Sequence, residues 1–165
     1  MFTFRTFRTK GWAHKRDRVR INDSDLKVQT LALVAAIGED GGLIDFAIHP
    51  LAINTETFVA VVRKLAGKLG GGDFALFLEN LSVHKTRPAR LLFEELNVME
   101  IFNVPYCPQF NGIESFFAQV KATYKKVLLQ HVIKEVHLDT MDLIRWSMER
   151  VSSETATRFV RYALA

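Results

Sequence analysis

Hydrophobic and polar residues follow two periods along the chain, and the changes of period divide it into short elements. Met1–Phe7 sets Phe2 and Phe4 against Thr3 and Arg5, a period of two that predicts a strand. Lys27–Ile37 begins with the same alternation and turns continuously apolar, the pattern of a strand buried on both faces. Gly38–Gly42 supplies glycine and aspartate for a tight turn, and Leu43–His49 reads as the returning strand, so 27–49 is predicted to be a hairpin. Over Glu56–Leu69 the period becomes helical. Phe58, Val61, Val62 and Leu65 share one face, Asn54 or Thr55 can cap the start, and Gly70–Gly72 ends the helix. Asp73–Leu78 is a short, strongly apolar strand. Thr86 with Pro88 opens a helix to Leu96, because proline suits a first turn. Val98–Val104 is another strand, Pro105–Gly112 a loop, and Ile113–Gln130 a helix. Two further helices are predicted over Leu138–Val151 and Glu154–Ala163.

Three strands joined by short turns and then alternating helix and strand define an α/β chain with a mixed sheet flanked by helices. That is the element order of the RNase H-like fold, although order alone does not separate it from other α/β folds. At 165 residues the chain has the length of one domain and can bury a real core. Its 48% hydrophobic content excludes a disordered chain, and its single cysteine, Cys107, excludes an internal disulfide framework and a multi-cysteine zinc site. The longest apolar runs, such as Leu31–Ile37, fall far short of the ~20 residues of a membrane span. The net charge of +4 is unevenly placed. Residues 1–20 carry seven basic side chains against one acid, Asp17, for a local +6, whereas the other 145 residues hold 15 basic and 17 acidic side chains, a balance of −2.

Candidate chemistry gathers at two places. Glu79 and Asn80 follow the apolar strand at 73–78, and the carboxyl ends of strands are where α/β sheets hold ligands. His84 and Lys85 lie just beyond, before the next helix. Glu114 sits in the first turn of the helix after Pro105–Gly112, where the helix dipole favours a carboxylate. Two carboxylates at one edge of a sheet can share a hard divalent ion such as magnesium. Each residue also has a plainer reading: Glu79 as a local hydrogen-bond acceptor, Glu114 as a helix-terminal charge, His84 as a polar residue at a helix start. Phe74, Phe77, Phe93, Phe102, Phe116 and Phe117 read as core, and Lys121, Lys125 and Lys126 as a solvated helix face with the option of touching phosphate.

Taken together these segments resemble a known family. Leu78-Glu79-Asn80-Leu81-Ser82-Val83-His84-Lys85 is similar to the Asp-Asn-x-x-x-His-Lys segment of mariner-type DDE transposases. Val104–Glu114 is similar to that family's Pro-Tyr-Ser-Pro-x-Leu-Asn-Pro-Ile-Glu segment, and the 34 residues between Glu79 and Glu114 equal the family's spacing between its second and third acids. Gly11-Trp12-Ala13 resembles the tryptophan motif after the family's first strand, and the likeness extends over about residues 4–126. The resemblance implies an RNase H-like domain at 1–130 with a C-terminal helical extension of the same domain at 131–165. It also implies a site in which three acids hold two magnesium ions for in-line phosphoryl transfer on DNA. Glu79 and Glu114 take the second and third positions, as catalytic and metal-binding residues.

The departures from the pattern set the functional expectation. The first acid belongs at the end of the first strand, but no Asp or Glu precedes Asp17, which lies after the tryptophan motif. Glu79 stands where the family has Asp, Gly112 where it has Pro, and Cys107 where it has Ser. No helix-turn-helix region precedes the first strand of this sequence. The preferred expectation is therefore a transposase-derived, non-catalytic domain acting as a subunit beside other proteins or a second copy of itself, with magnesium held only if the site is functional. One alternative is a metal-dependent DNA endonuclease or strand transferase. Another is a nucleic-acid-binding module using Arg5, Arg8, Lys15, Arg16, Arg18, Lys85 and Lys121. Family analogy points to the nucleus, whereas the Arg-rich, acid-poor start also fits a mitochondrial leader.

Overall fold

The structure, a computed structural model, describes residues 31–71, 73–133 and 139–164. The strand expected at Met1–Phe7, the Trp12 motif and the basic residues Arg5, Arg8, Lys15, Arg16 and Arg18 lie outside those residues. Within them the elements run β1 (Ala32–Gly38), β2 (Gly42–His49), α1 (Thr55–Lys68), β3 (Phe74–Leu78), α2 (Arg87–Glu95), β4 (Val98–Phe102), α3 (Gly112–Ile133), α4 (Thr140–Glu149) and α5 (Ser153–Leu164). Short 3-10 turns occupy Ser82–Lys85 and Pro108–Phe110. β1 and β2 pair antiparallel, and β3 and β4 pair parallel, giving two two-stranded sheets among the described residues.

Local chemistry explains the boundaries. Asn54 is the cap of α1: its side-chain oxygen accepts the Thr57 N–H at 2.8 Å. At the other end Gly70 and Gly71 take left-handed φ values of +82° and +62°, and the Gly71 N–H donates to the Ala66 carbonyl at 3.0 Å. The strand expected over Val98–Val104 stops two residues early. The Asn103 N–H still donates to the Leu78 carbonyl at 2.8 Å, but its side chain turns the backbone by donating to the Cys107 carbonyl at 3.0 Å. The helix expected over Leu138–Val151 begins at Thr140, where the Asp139 carboxylate accepts the N–H groups of Met141 and Asp142 at 2.8 and 3.0 Å. Thr86 stands at the start of α2, yet its hydroxyl donates backwards to the Val83 carbonyl at 3.1 Å and caps nothing.

Two cores flank the strands. β1 and β2 pack Leu33, Ala35, Ile37, Leu43, Phe46 and Ile48 against a cluster from α3, α4 and α5 that buries Phe116, Val120, Ile144, Met148 and Ala156 completely. The ladder slips between Ala36 and Ile37, whose partners are Asp45 and Leu43. Ile44 is thereby skipped, which is how Leu43 and Phe46, three residues apart, reach the same core. The second core sets Phe58 and Val62 of α1 and Ala89, Leu92 and Phe93 of α2 against one face of β3–β4. Phe93, Phe116 and Phe117 are buried as expected, but Phe77 is not. It lies on the other face of that sheet beside its partner Ile101, and Met99 of the same strand is 66% exposed. In the last two helices Met148 is core, whereas Trp146 is partly exposed with the Arg150 guanidinium 4.7 Å from its ring, and Tyr162 is exposed.

Asp45 joins the hairpin to α1. It is 9% exposed, and its carboxylate accepts the ammonium groups of Lys68 at 2.7 Å and Lys64 at 3.0 Å. Burial alone would raise its pKa above 3.8, but the hydrogen bonds and charges of the two lysines outweigh burial and lower it. A lowered acid pKa stabilises the fold above the unfolded value, and that stability is lost as pH falls through the folded value. Asp45→Asn should therefore cost about 1 kcal/mol at pH 7, a figure kept small because the lysines are half exposed. Urea unfolding of both proteins should show the gap narrowing as the pH is taken below 3.8.

Candidate metal-binding site

β3 carries its backbone hydrogen bonds as far as Leu78, and Glu79 is the first residue past the ladder. α3 begins beside it. The Asn111 side chain accepts the Ile113 N–H at 3.3 Å and its carbonyl accepts the Glu114 N–H at 3.1 Å, so a buried asparagine fixes the first turn that bears Glu114. The two glutamates line one open cleft with Asn80, Asn103, Cys107 and Asn111. They are near enough for the Glu114 charge to act on the Glu79 carboxyl. Burial raises the Glu79 pKa above its ordinary 4.5, and the neighbouring Glu114 charge raises it further. Two carboxylates held against their mutual repulsion form a hard-oxygen donor pair suited to magnesium or manganese.

The residues around Glu79 are tied into a network. Asn80 donates through its side chain to the Asn103 carbonyl and accepts the Lys85 ammonium at 2.7 Å. Lys85 also lies 4.9 Å above the centre of the Phe102 ring. This sequence-identified basic residue thus braces the end of the sheet. The side-chain oxygen of Asn103 is buried without a protein partner, leaving an acceptor in the wall of the cleft. His84 is half-buried, and its Nδ1 lies 2.8 Å from the Glu79 carbonyl. A carbonyl only accepts, so Nδ1 carries the hydrogen. Burial lowers the His84 pKa below 6.5, the Lys85 charge adds to that, and the bond to Glu79 opposes it without prevailing. Lys121 is partly buried on α3, in the same helical row as Glu114, while Lys125 and Lys126 are exposed.

Glu79, Glu114 and Lys85 are thus gathered at one edge, with Lys121 two turns along α3. Periodicity did not mark Asn103 and Asn111. The signal available for Asn103 is the one that marks Glu79, a polar residue just past the end of a parallel strand. For Asn111 it is an asparagine directly ahead of a helix.

An α/β domain with paired strands, helices packed against them and two acids at the carboxyl end of β3 and the start of α3 has the plan of an RNase H-like domain. The sequence profile of the family described as DDE superfamily endonuclease matches residues 1–134, and the chain belongs to that family. Solved structures of Mos1 share the fold. The Mos1 strand transfer complex aligns with a TM-score of 0.64 at 15% identity, over 97% of this chain and 48% of that one. The Mos1 mariner paired end complex with Mn gives 0.63 at 13%, over 96% and 47%. The Mos1 transposase catalytic domain with Raltegravir and Mn gives 0.56 at 12%, over 78% and 68%. The chain therefore spans about half the length of the Mos1 chains in the two complexes. A comparison with curated proteins found no match.

Proposed function

We propose that this chain is a DDE-type domain in which Glu79 and Glu114 bind a single divalent cation, and that it serves as a DNA-associating subunit without cutting DNA by itself. The observation that carries the proposal is the pair of glutamates lining one open cleft, near enough for the Glu114 charge to act on Glu79. When bound, such an ion would polarise a phosphoryl oxygen. Mn accompanies Mos1 in two of the similar structures, which supports that choice of metal.

Two features support the non-catalytic half. No third carboxylate lines the cleft among the described residues, and a two-ion displacement needs a carboxylate that bridges both ions. Glu79 is also one methylene longer than the aspartate its motif resembles, and displacing a reacting group by about 1 Å can cost 10²-fold. DNA association rests on phosphate contacts. Lys121 and Lys125 follow Glu114 by 7 and 11 residues on α3, roughly 10 and 16 Å along the axis, and Arg5, Arg8, Lys15, Arg16 and Arg18 add a basic set. The row of Phe77, Met99 and Ile101 left uncovered on β3–β4 supports assembly with a protein partner.

The test is a titration of the chain with Mn2+, read by electron paramagnetic resonance, with a nicking assay on supercoiled DNA in the same buffer. One bound ion per chain and intact plasmid are expected. DNA binding without cleavage should weaken with salt, with a shallower slope when the five N-terminal basic residues are neutralised. An absence of Mn2+ binding would overturn the metal site, and a nick that disappears in Glu114→Gln would overturn the non-catalytic role.

A further inference from the structure

We infer that His84 is a positioning residue for the metal site, holding the Glu79 backbone where the sheet no longer does. This inference rests on the proposed metal binding by Glu79 and Glu114. The last rung of the β3–β4 ladder is Leu78 with Phe102, and the Asn103 N–H takes the Leu78 carbonyl. The Glu79 carbonyl, one residue later, has no strand partner among the described residues, and a half-buried carbonyl left unpaired is costly. His84 supplies the missing donor at 2.8 Å across the turn Ser82–Lys85, which is itself closed by the His84 N–H on the Leu81 carbonyl at 3.1 Å.

The ring that makes this bond is anchored in turn. Its centroid lies 4.5 Å from that of Phe58, which is 4% exposed on α1 and packs edge-on against Phe93 of α2 at 6.3 Å. One side of the imidazole therefore rests on the second core while its Nδ1–H holds the ligand-bearing backbone. Through this contact the helix layer sets the position of Glu79 relative to Glu114. Partners of this kind, one step removed from a metal, typically contribute 10–100-fold in affinity.

Two substitutions separate the bond from the packing. His84→Phe keeps an aromatic ring on Phe58 and removes the donor. His84→Asn keeps a side-chain N–H near the position of Nδ1 and removes the ring. Mn2+ affinity of the full chain, read by electron paramagnetic resonance, is expected to fall about tenfold in His84→Phe while its melting temperature changes little. His84→Asn should melt earlier yet bind Mn2+ within about threefold of the unsubstituted chain, rescue that a purely structural histidine would not allow. Unchanged affinity in His84→Phe, or affinity that falls in step with melting temperature in both variants, would overturn the inference. If the unsubstituted chain binds no Mn2+, the metal site itself falls and takes this inference with it.

Discussion

Glu79→Gln and Glu114→Gln should each lower Mn2+ affinity by about 100-fold, and Glu79→Gln should make the metal-free protein more stable. Both effects arise from one geometry. The two glutamates line one cleft, and burial together with the Glu114 charge raises the Glu79 pKa above 4.5. A divalent ion held by both glutamates would offset their repulsion, so removing either negative charge would remove most of the attraction. Without metal the same charge is a liability. An acid with a raised folded pKa contributes stability below its unfolded pKa, and that contribution is lost as pH rises through the folded value. The Glu79 charge therefore opposes folding as the pH rises, and a neutral glutamine carries no such charge. Apo Glu79→Gln is therefore expected to unfold at higher urea concentration at pH 7, with the gain disappearing below pH 4.5. Metal affinity should rise with pH through the region just above 4.5, because binding then displaces less proton. Equal Mn2+ affinity in Glu79→Gln and the unsubstituted chain would show that Glu79 is not a ligand.

Much of this could be read from the sequence because it is local. The apolar run Asp73–Leu78 forms a strand, its carboxyl end carries Glu79, and the caps and glycines bounding α1 follow from chain chemistry. The convergence of Glu79 and Glu114 came from the motif pair and its spacing, since periodicity says nothing about residues 35 apart. What stayed hidden depends on which neighbour an element meets. Phe77 alternates like a core residue, but the face it shares with Ile101 meets no helix among the described residues. Lys85 reads as a phosphate ligand from its charge, and only the fold brings it onto Asn80 and Phe102. His84 reads as a helix-start residue until the fold sets its Nδ1 on the Glu79 carbonyl, which has no strand partner among the described residues. The least visible feature is the close approach of the last helix to two glycines, Gly42 and Gly112.

Gly42→Ala should cost about 3 kcal/mol and Gly112→Ala about 2 kcal/mol, and the second should also weaken Mn2+ binding. At Gly42, where β2 leaves the hairpin turn, an added methyl would sit 2.5 Å from the Ser153 Cα, and φ is +65°. Backbone at the start of α5 cannot yield as a side chain can. Overpacking of about 1–3 kcal/mol therefore adds to the ~1 kcal/mol of a left-handed conformation in a residue with a Cβ. At Gly112, the first residue of α3, the methyl would meet the Phe159 carbonyl oxygen at 2.6 Å and the Val160 Cα at 3.0 Å. α5 thus lies backbone to backbone on both the hairpin and the helix that carries Glu114 two residues later. Pushing α5 away at Gly112 shifts the turn bearing Glu114, whereas the same push at Gly42 acts at the far end of α5. Mn2+ affinity should therefore fall more in Gly112→Ala than in Gly42→Ala, even though Gly42→Ala destabilises more. Gly67→Ala is the control: no atom lies within 4 Å of its added methyl, and alanine in the last turn of α1 should raise stability by up to about 1 kcal/mol. Urea unfolding ranks the three variants, and Mn2+ titration of the folded proteins separates loss of stability from loss of site geometry. If Gly112→Ala lost affinity no more than Gly42→Ala, α5 would support the fold without setting the position of Glu114.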